Sequence, residues 1–358
     1  MQAWPDRRLL DLLNIEIPII QAPMAGSDSV ALARSVSSTG ALGSLACALL
    51  SPENVREAVR ALREDSPHPI NLNFFCHTME PLNEAAVSRW KNFLQPHYSR
   101  WGLNIDAVAP ARLRLPFDEE TCVTIEELKP EIASFHFGLP APALVDRLKT
   151  RGIKILSSAT TVREAKWLED HGCDAIIAQG IEAGGHRAMF LETDIAMQVG
   201  LFALVPQIAD AVSVPVIAAG GIADARGVAA AFALGASGVQ LGTAYLSCPE
   251  ANVSPLYRQA LSQVTDNSTV VTNLFSGRPA RGILNRVLQE SGPLSDAPPP
   301  FPYAATLIAP LRAASEKAGS TDYMQLWAGQ SAALVKPMPA DELTRSLIRA
   351  IQNQTRSV

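Results

Sequence analysis

Of the six histidines in this 358-residue chain, one follows two adjacent glycines: His186, in GIEAGGHRA (180–188). Glycine is costly to order and is used where the backbone bends sharply or comes close to something. Imidazole is suited to proton transfer near neutral pH. Together they describe a loop pressed against a ligand, with a titratable group at its edge. Two further stretches, AAGGI (218–222) and QLGTA (240–244), are rich in small residues. Such turns let backbone N–H groups approach an anion, and a helix starting nearby, as at Asp224, adds partial positive charge. One glycine turn would be only a turn; two on neighbouring segments point to a phosphate. Gln21-Ala22-Pro23-Met24 offers a fixed backbone and a soft apolar surface. Asn73 and Gln179 each carry a donor and an acceptor. A flat heterocycle with carbonyls and ring nitrogens suits this set, and flavin mononucleotide (FMN) satisfies both the phosphate turns and the amide walls. Either amide alone would read as a structural hydrogen bond.

These residues need a frame that gathers them. Eight short apolar runs recur, at 17–24, 41–47, 70–76, 132–138, 153–159, 175–180, 214–221 and 238–246. Their continuous apolar character suits parallel strands buried on both faces. Helical patterns lie between them. Ser51 precedes Pro52 as an N-cap, and Thr161 with Glu164 fits a capping box. Alternation of this kind predicts an α/β fold, a (β/α)8 TIM barrel, whose ligands bind at the carboxyl ends of the strands. An open doubly wound sheet is the rival, but QAPMAG stands where its GxGxxG turn would be. The barrel is expected over 1–76 and 131–246, with an insertion at 77–130 and a cap over 247–335. Residues 336–358 are expected to form a helix packing back on the barrel. Three histidines fall at strand ends: His77, His136 and His186. His68, His97 and His171 fall elsewhere and read as structural or solvated. A metal site is not expected, because paired HxH motifs and strand-end carboxylates are missing.

Composition narrows the class. Hydrophobic residues make up 47% of the chain, enough for a full core, and the formal net charge is -5 without a basic block. Nucleic acid and anionic membrane surfaces are therefore not expected partners. Five cysteines at no metal-ligand spacing suit a reducing, cytoplasmic setting. No uncharged apolar run is long enough to span a bilayer.

The segments QAPM, NFFCH, AQGIEAGGHR, AAGGIAD, QLGTA and LWAGQ together resemble the nitronate monooxygenases, formerly called 2-nitropropane dioxygenases, and among them the bacterial class I group. The resemblance spans Ile17 to Gln330. It implies an FMN-binding barrel with a smaller, mainly helical substrate-side domain. It also implies oxidation of alkyl nitronates, such as propionate 3-nitronate, by O2 to a carbonyl compound with nitrite or nitrate. Carried over residue by residue, the flavin contacts fall on Asn73, Gln179, Gly184, Gly185, Gly220, Gly221, Gln240, Leu241, Gly242 and Thr243. Ala22, Pro23 and Met24 fall beside the isoalloxazine. The catalytic histidine falls on His186, as a base for neutral nitroalkanes or as an anchor for nitronates. His136, His77, Tyr303 and Ser276 are candidates for the substrate pocket. Ala188 departs from the pattern, where glycine is expected after GGHR; alanine fits only with a negative φ. The partners implied are a small nitronate and O2, and association into a homo-oligomer is left open. FMN-dependent NAD(P)H oxidoreductases, namely enoyl-acyl-carrier-protein reductases and NADH:quinone reductases, share such barrels and form the alternative. A ligand-binding barrel without catalysis and a metal-dependent hydrolase are more distant ones.

Overall fold

Eight short parallel strands form the centre of the computed structural model, which describes residues 4, 6–64, 67–109 and 113–354. They are β1 (Ile19–Gln21), β2 (Gly43–Ala46), β3 (Ile70–Phe75) and β4 (Ile132–His136), then β5 (Lys154–Ala159), β6 (Ala175–Gln179), β7 (Val216–Ala219) and β8 (Gly238–Leu241). Each pairs in parallel with the next, and β8 pairs with β1. A parallel bridge from Ile20 to Leu42 joins β1 to β2 and closes the ring. Every predicted run contains one barrel strand, so the chain is a (β/α)8 barrel.

The strand runs are apolar because both faces are covered. Every residue of β1, β2, β3, β6 and β7 is buried. Inside the ring, Ile20, Leu42, Leu156, Ile177 and Ile217 share a core with Leu9, Leu10 and Leu13 of the helix Arg8–Leu13. Leu9 also packs against Gly238, where β8 starts. This helix therefore plugs the amino end of the barrel and leaves the carboxyl end for the site. The helix Ala340–Gln354 returns to the outer face, where Leu343 and Leu347 join Ile19 and Val239, and Thr344 bonds the Tyr245 hydroxyl at 2.8 Å.

Two expected boundaries shift. The run 238–246 is strand only to Leu241; after Gly242 the chain turns into a short helix, Thr243–Leu246. The stretch 77–130 splits in two. Its helix Glu84–Arg100 supplies Trp90, Leu94 and Tyr98 to a core shared with Phe275, Leu288, Leu311 and Tyr323. Its helix Glu119–Leu128 instead packs on the barrel, with Cys122 and Ile125 beside Phe74 and Phe135. Segments far apart in sequence thus build one apolar cap core. The cap region also holds a three-stranded antiparallel sheet, Thr269–Thr272, Ala280–Ile283 and Gly185–His186. The last of these belongs to the loop after β6, so the candidate catalytic loop is stitched to the cap.

Candidate active site

A cavity of about 550 Å³ opens where the barrel strands end and the cap begins. Its walls follow the strand order. Ala22, Pro23 and Met24 lie after β1, Asn73 on β3, His136 on β4, Ser158 on β5 and Gln179 on β6. Gly184, Gly185 and His186 follow β6, Gly220 and Gly221 follow β7, and Gln240, Gly242 and Thr243 surround the end of β8. The cap adds Arg312, Gln325 and Trp327. Four candidates do not line this space. Leu241 is a buried core residue. His77 packs edge-on against Phe301, with ring centroids 4.7 Å apart. Tyr303 sits at the start of the helix Ala304–Lys317. Ser276 is buried behind His186.

His186 is the centre of a tight arrangement. Its Nε2 lies 2.9 Å from the Ser276 hydroxyl. Its ring meets Phe301 and Trp327 at centroid distances of 5.4 and 5.5 Å. Its carbonyl accepts from Gln179 Nε2 at 3.0 Å and from His136 Nε2 at 3.1 Å. Burial first, then the guanidinium of Arg114, the competing imidazole of His136, the guanidinium of Arg278 and the competing imidazole of His77, hold its proton affinity well below the ordinary histidine range. It is therefore a neutral imidazole at neutral pH. His136 is pushed down to about 3 by burial, and its hydrogen bond to the His186 carbonyl requires a protonated Nε2. Burial likewise takes His77 to about 4. The Arg114 backbone gives His77 some polar support, without the geometry of a full hydrogen bond.

The loop carrying His186 is fixed by groups whose role the sequence did not announce. Arg187 is fully buried, and its guanidinium donates to the carbonyls of Gly180 at 2.7 Å and Gln179 at 2.9 Å. Glu164 is the expected capping-box partner of Thr161, and Thr161 does cap the helix Val162–Asp170. The Glu164 carboxylate, however, turns away from the reciprocal bond. It accepts from the Thr160 backbone and from Phe190 and Leu191, at 2.7, 2.7 and 3.0 Å. A buried carboxylate needs several donors, and these tie the loop beyond His186 to the end of β5. Ala188 donates its N–H to Gln179 Oε1 at 2.8 Å and avoids positive φ, so alanine is accommodated there. Both ends of the Gln179 amide are thus taken up by the loop.

The glycine pair divides into two different needs. A Cβ on Gly184 would fall 2.6 Å from the Gly329 nitrogen and 2.7 Å from the Ala328 carbonyl carbon. The close approach is to the AGQ segment of this chain, which is held by Gly329 N–H to Thr243 Oγ1 at 3.0 Å and Gln330 N–H to Glu182 O at 2.9 Å. Gly185 instead has φ of +73° and open space beyond its Cα.

Two wall amides keep unused hydrogen-bonding capacity. Gln240 Oε1 is buried without a partner among the described residues. Asn73 gives its Nδ2 to Ser134, at 3.0 and 3.1 Å, while its Oδ1 has no protein partner among the described residues. An unmet buried polar atom such as Gln240 Oε1 is costly, and a polar, planar ligand would satisfy both amides. Among the described residues, no group of three or more His, Cys, Asp or Glu side chains is placed to hold a metal ion. No helix among them is long and apolar enough to cross a membrane.

A sequence model of the family described as nitronate monooxygenase matches residues 6–350. A nitronate monooxygenase of Paraburkholderia phytofirmans is 41% identical, covering 97% of this chain and 95% of its own. One from Pseudomonas aeruginosa is 40% identical, over 96% of this chain and 99% of its own. Among solved structures, a nitroalkane oxidase from Streptomyces ansochromogenes superposes with a TM-score of 0.90 at 34% identity, covering 98% and 99% of the two chains. FabK from Thermotoga maritima superposes with a TM-score of 0.72 at 27% identity, covering 99% and 98%. Matches of this breadth and identity, running through both barrel and cap, mean that the chain belongs to the nitronate monooxygenase family of oxidoreductases.

Proposed function

We propose that this enzyme oxidises alkyl nitronates with O2, using FMN held in the cavity at the carboxyl end of the barrel. The observation that carries the proposal is a neutral imidazole, His186, lining a cavity whose opposite walls are small-residue turns and amides with open valences. The buried, unpartnered Gln240 Oε1 and the Asn73 Oδ1, which faces the cavity while its Nδ2 bonds Ser134, fit the N–H and hydroxyl groups of a flavin and its ribityl chain. Gly220, Gly221, Gly242 and Thr243 form the part of the wall suited to its phosphate. Ala22, Pro23 and Met24 offer a flat apolar bed for its rings. When bound, FMN supplies the one- and two-electron redox chemistry that amino-acid side chains lack.

The chain's own contribution is proton handling, orientation and exclusion of water. The Ser276 hydroxyl lies 3.2 Å from the Arg278 carbonyl, to which it donates its proton. It then accepts from His186 Nε2–H, and Nδ1 keeps the free lone pair. Such an imidazole removes the α-proton of a neutral nitroalkane. A nitronate has already lost that proton; there the other tautomer serves, with the Ser276 hydroxyl donating to Nε2 and Nδ1–H orienting the anion. Phe75, Phe301 and Trp327 surround the ring and keep the reacting face dry.

The test is His186→Asn. Turnover of nitroethane should fall by about 10²- to 10⁴-fold, the usual worth of a general base, and by much more than turnover of ethyl nitronate. Equal turnover of nitroethane by mutant and wild type would refute the base assignment. Because the depressed proton affinity keeps His186 neutral, nitroethane activity should hold between pH 8 and about 6 and decline only in more acid solution. A decline centred on the ordinary imidazole range contradicts this. The alternative is an FMN-dependent NAD(P)H oxidoreductase on the same kind of barrel, whose flavin is reduced by NADH or NADPH. Rapid anaerobic bleaching by either nucleotide would favour it.

A further inference from the structure

Beside the main cavity lies a second one of about 260 Å³, which the chemistry at His186 leaves unused. It sits between the loop after β2, the helix Pro52–Arg63, the end of β3 and the connection leading into the helix Glu119–Leu128. Val55, Phe74, Phe117 and Ile125 form its buried wall. The Phe117 N–H donates to the Phe75 carbonyl at 2.7 Å and holds that connection against β3. Leu49, Phe75 and Arg114 border both cavities. The Phe75 ring centroid is 6.3 Å from that of His186, so one aromatic ring stands between this space and the candidate base.

The polar groups of this wall are largely engaged with one another. Asp118 accepts from the Thr121 N–H and hydroxyl at 2.9 and 2.7 Å, and the Thr124 hydroxyl donates to the Glu120 carbonyl at 3.2 Å. Among the described residues, no side chain of the wall leaves a fully buried polar atom without a partner. Water needs several such atoms to hold it in a cavity; without them an apolar cavity stays dry and takes apolar guests. A nitronate anion entering from solvent would meet the exposed carboxylates of Asp118 and Glu120. An uncharged apolar molecule meets Leu115 instead, a large apolar side chain that is 59% exposed on the same wall. Dioxygen is small, uncharged and more soluble in apolar surroundings than in water.

While a nitronate lies at His186, the substrate together with Phe301 and Trp327 crowds the approach through the main cavity. A second reactant that has still to arrive needs another way in. Resting on the nitronate-oxidising reading, we propose that the second cavity is a dioxygen site, which takes O2 from solvent beside Leu115 and releases it to the reacting face past Phe75.

Xenon, an apolar atom that enters dry cavities, probes such a site directly. In crystals of the flavin-loaded protein under xenon pressure, wild type should hold xenon beside Val55 and Phe117. Leu50→Trp, which fills the space from its own wall, should hold none. Ordered water in place of xenon in the wild type, or no xenon at all, overturns the proposal. In turnover of propionate 3-nitronate, kcat/KM for O2 should fall about tenfold in Leu50→Trp, an added barrier of about 1.4 kcal/mol. The kcat/KM for the nitronate at saturating O2 should stay within about twofold of wild type. An unchanged kcat/KM for O2, or an equal fall in both, overturns the proposal. Val55→Phe fills the same space from the helix Pro52–Arg63 and serves if Leu50→Trp does not fold. If wild type oxidises no nitronate, the nitronate reading fails by itself. Xenon occupancy, and the rate at which O2 reoxidises photoreduced FMN in wild type and variant, still decide the role of the cavity.

Discussion

Three neutral imidazoles, His77, His136 and His186, sit at one end of the barrel, and their chemistry has a consequence for stability. Each binds its proton less readily in the fold than in the unfolded chain. The unfolded state therefore takes up more protons below pH 6.5, and the fold loses stability as the pH falls. For His136 the loss runs from about pH 6.5 to about 3, and for His77 from about 6.5 to about 4. His77→Phe removes one such group where both ring nitrogens lack hydrogen-bond partners among the described residues and three phenylalanines surround the ring. Its melting temperature should fall less steeply than that of wild type between pH 6.5 and 4.5, as differential scanning calorimetry would show. Parallel curves would contradict the picture of a buried neutral His77. The histidines at strand ends were legible in the sequence, because each follows or ends an apolar run. Their pairings were not, even where the partner, Ser276, was itself a candidate for the pocket. Ser276 is 90 residues from His186 in the chain and meets it only through the fold.

At the scale of elements, the loop after β6 owes its shape to this chain's own contacts. The sequence pattern suggests glycines pressed against a ligand, but Gly184 is pressed against Ala328 and Gly329. Gly184→Ala should therefore destabilise the protein by about 1–3 kcal/mol or more, because backbone must move on both sides. Gly185→Ala should cost about 1–2 kcal/mol, the strain of alanine at positive φ, since no atom blocks its Cβ. Urea unfolding of the two variants checks the order, and a larger loss for Gly185→Ala would contradict it. The barrel strands and several helix starts were readable because period, caps and glycines agree locally. Ser51, Thr161 and Asp224 all cap the helices they were expected to begin. The Glu164 carboxylate was misread, because a capping-box spacing cannot show that five loop donors compete for it. The cap sheet was missed, since Gly185–His186 is too short to show a strand pattern.

For the whole molecule, function depends on two bodies of structure meeting over one cavity. The barrel was legible from eight apolar runs. The cap was legible only as residues that did not fit the alternation, because its core joins the helix Glu84–Arg100 to segments nearly two hundred residues later. Arg114 and Trp327 both line the cavity; Trp327 stands in LWAGQ, a segment of the family resemblance that does not itself show a cavity wall, and no local motif marks Arg114. On the proposed function, this cavity holds a flavin and gives it a nitronate to oxidise. An absorbance spectrum of the purified protein, followed by anaerobic addition of propionate 3-nitronate, tests it most directly. The expected result is the yellow bands of bound FMN, then bleaching or a semiquinone spectrum on mixing. Protein that stays colourless after FMN is supplied, or flavin that ignores the nitronate and is bleached by NADH, would contradict it.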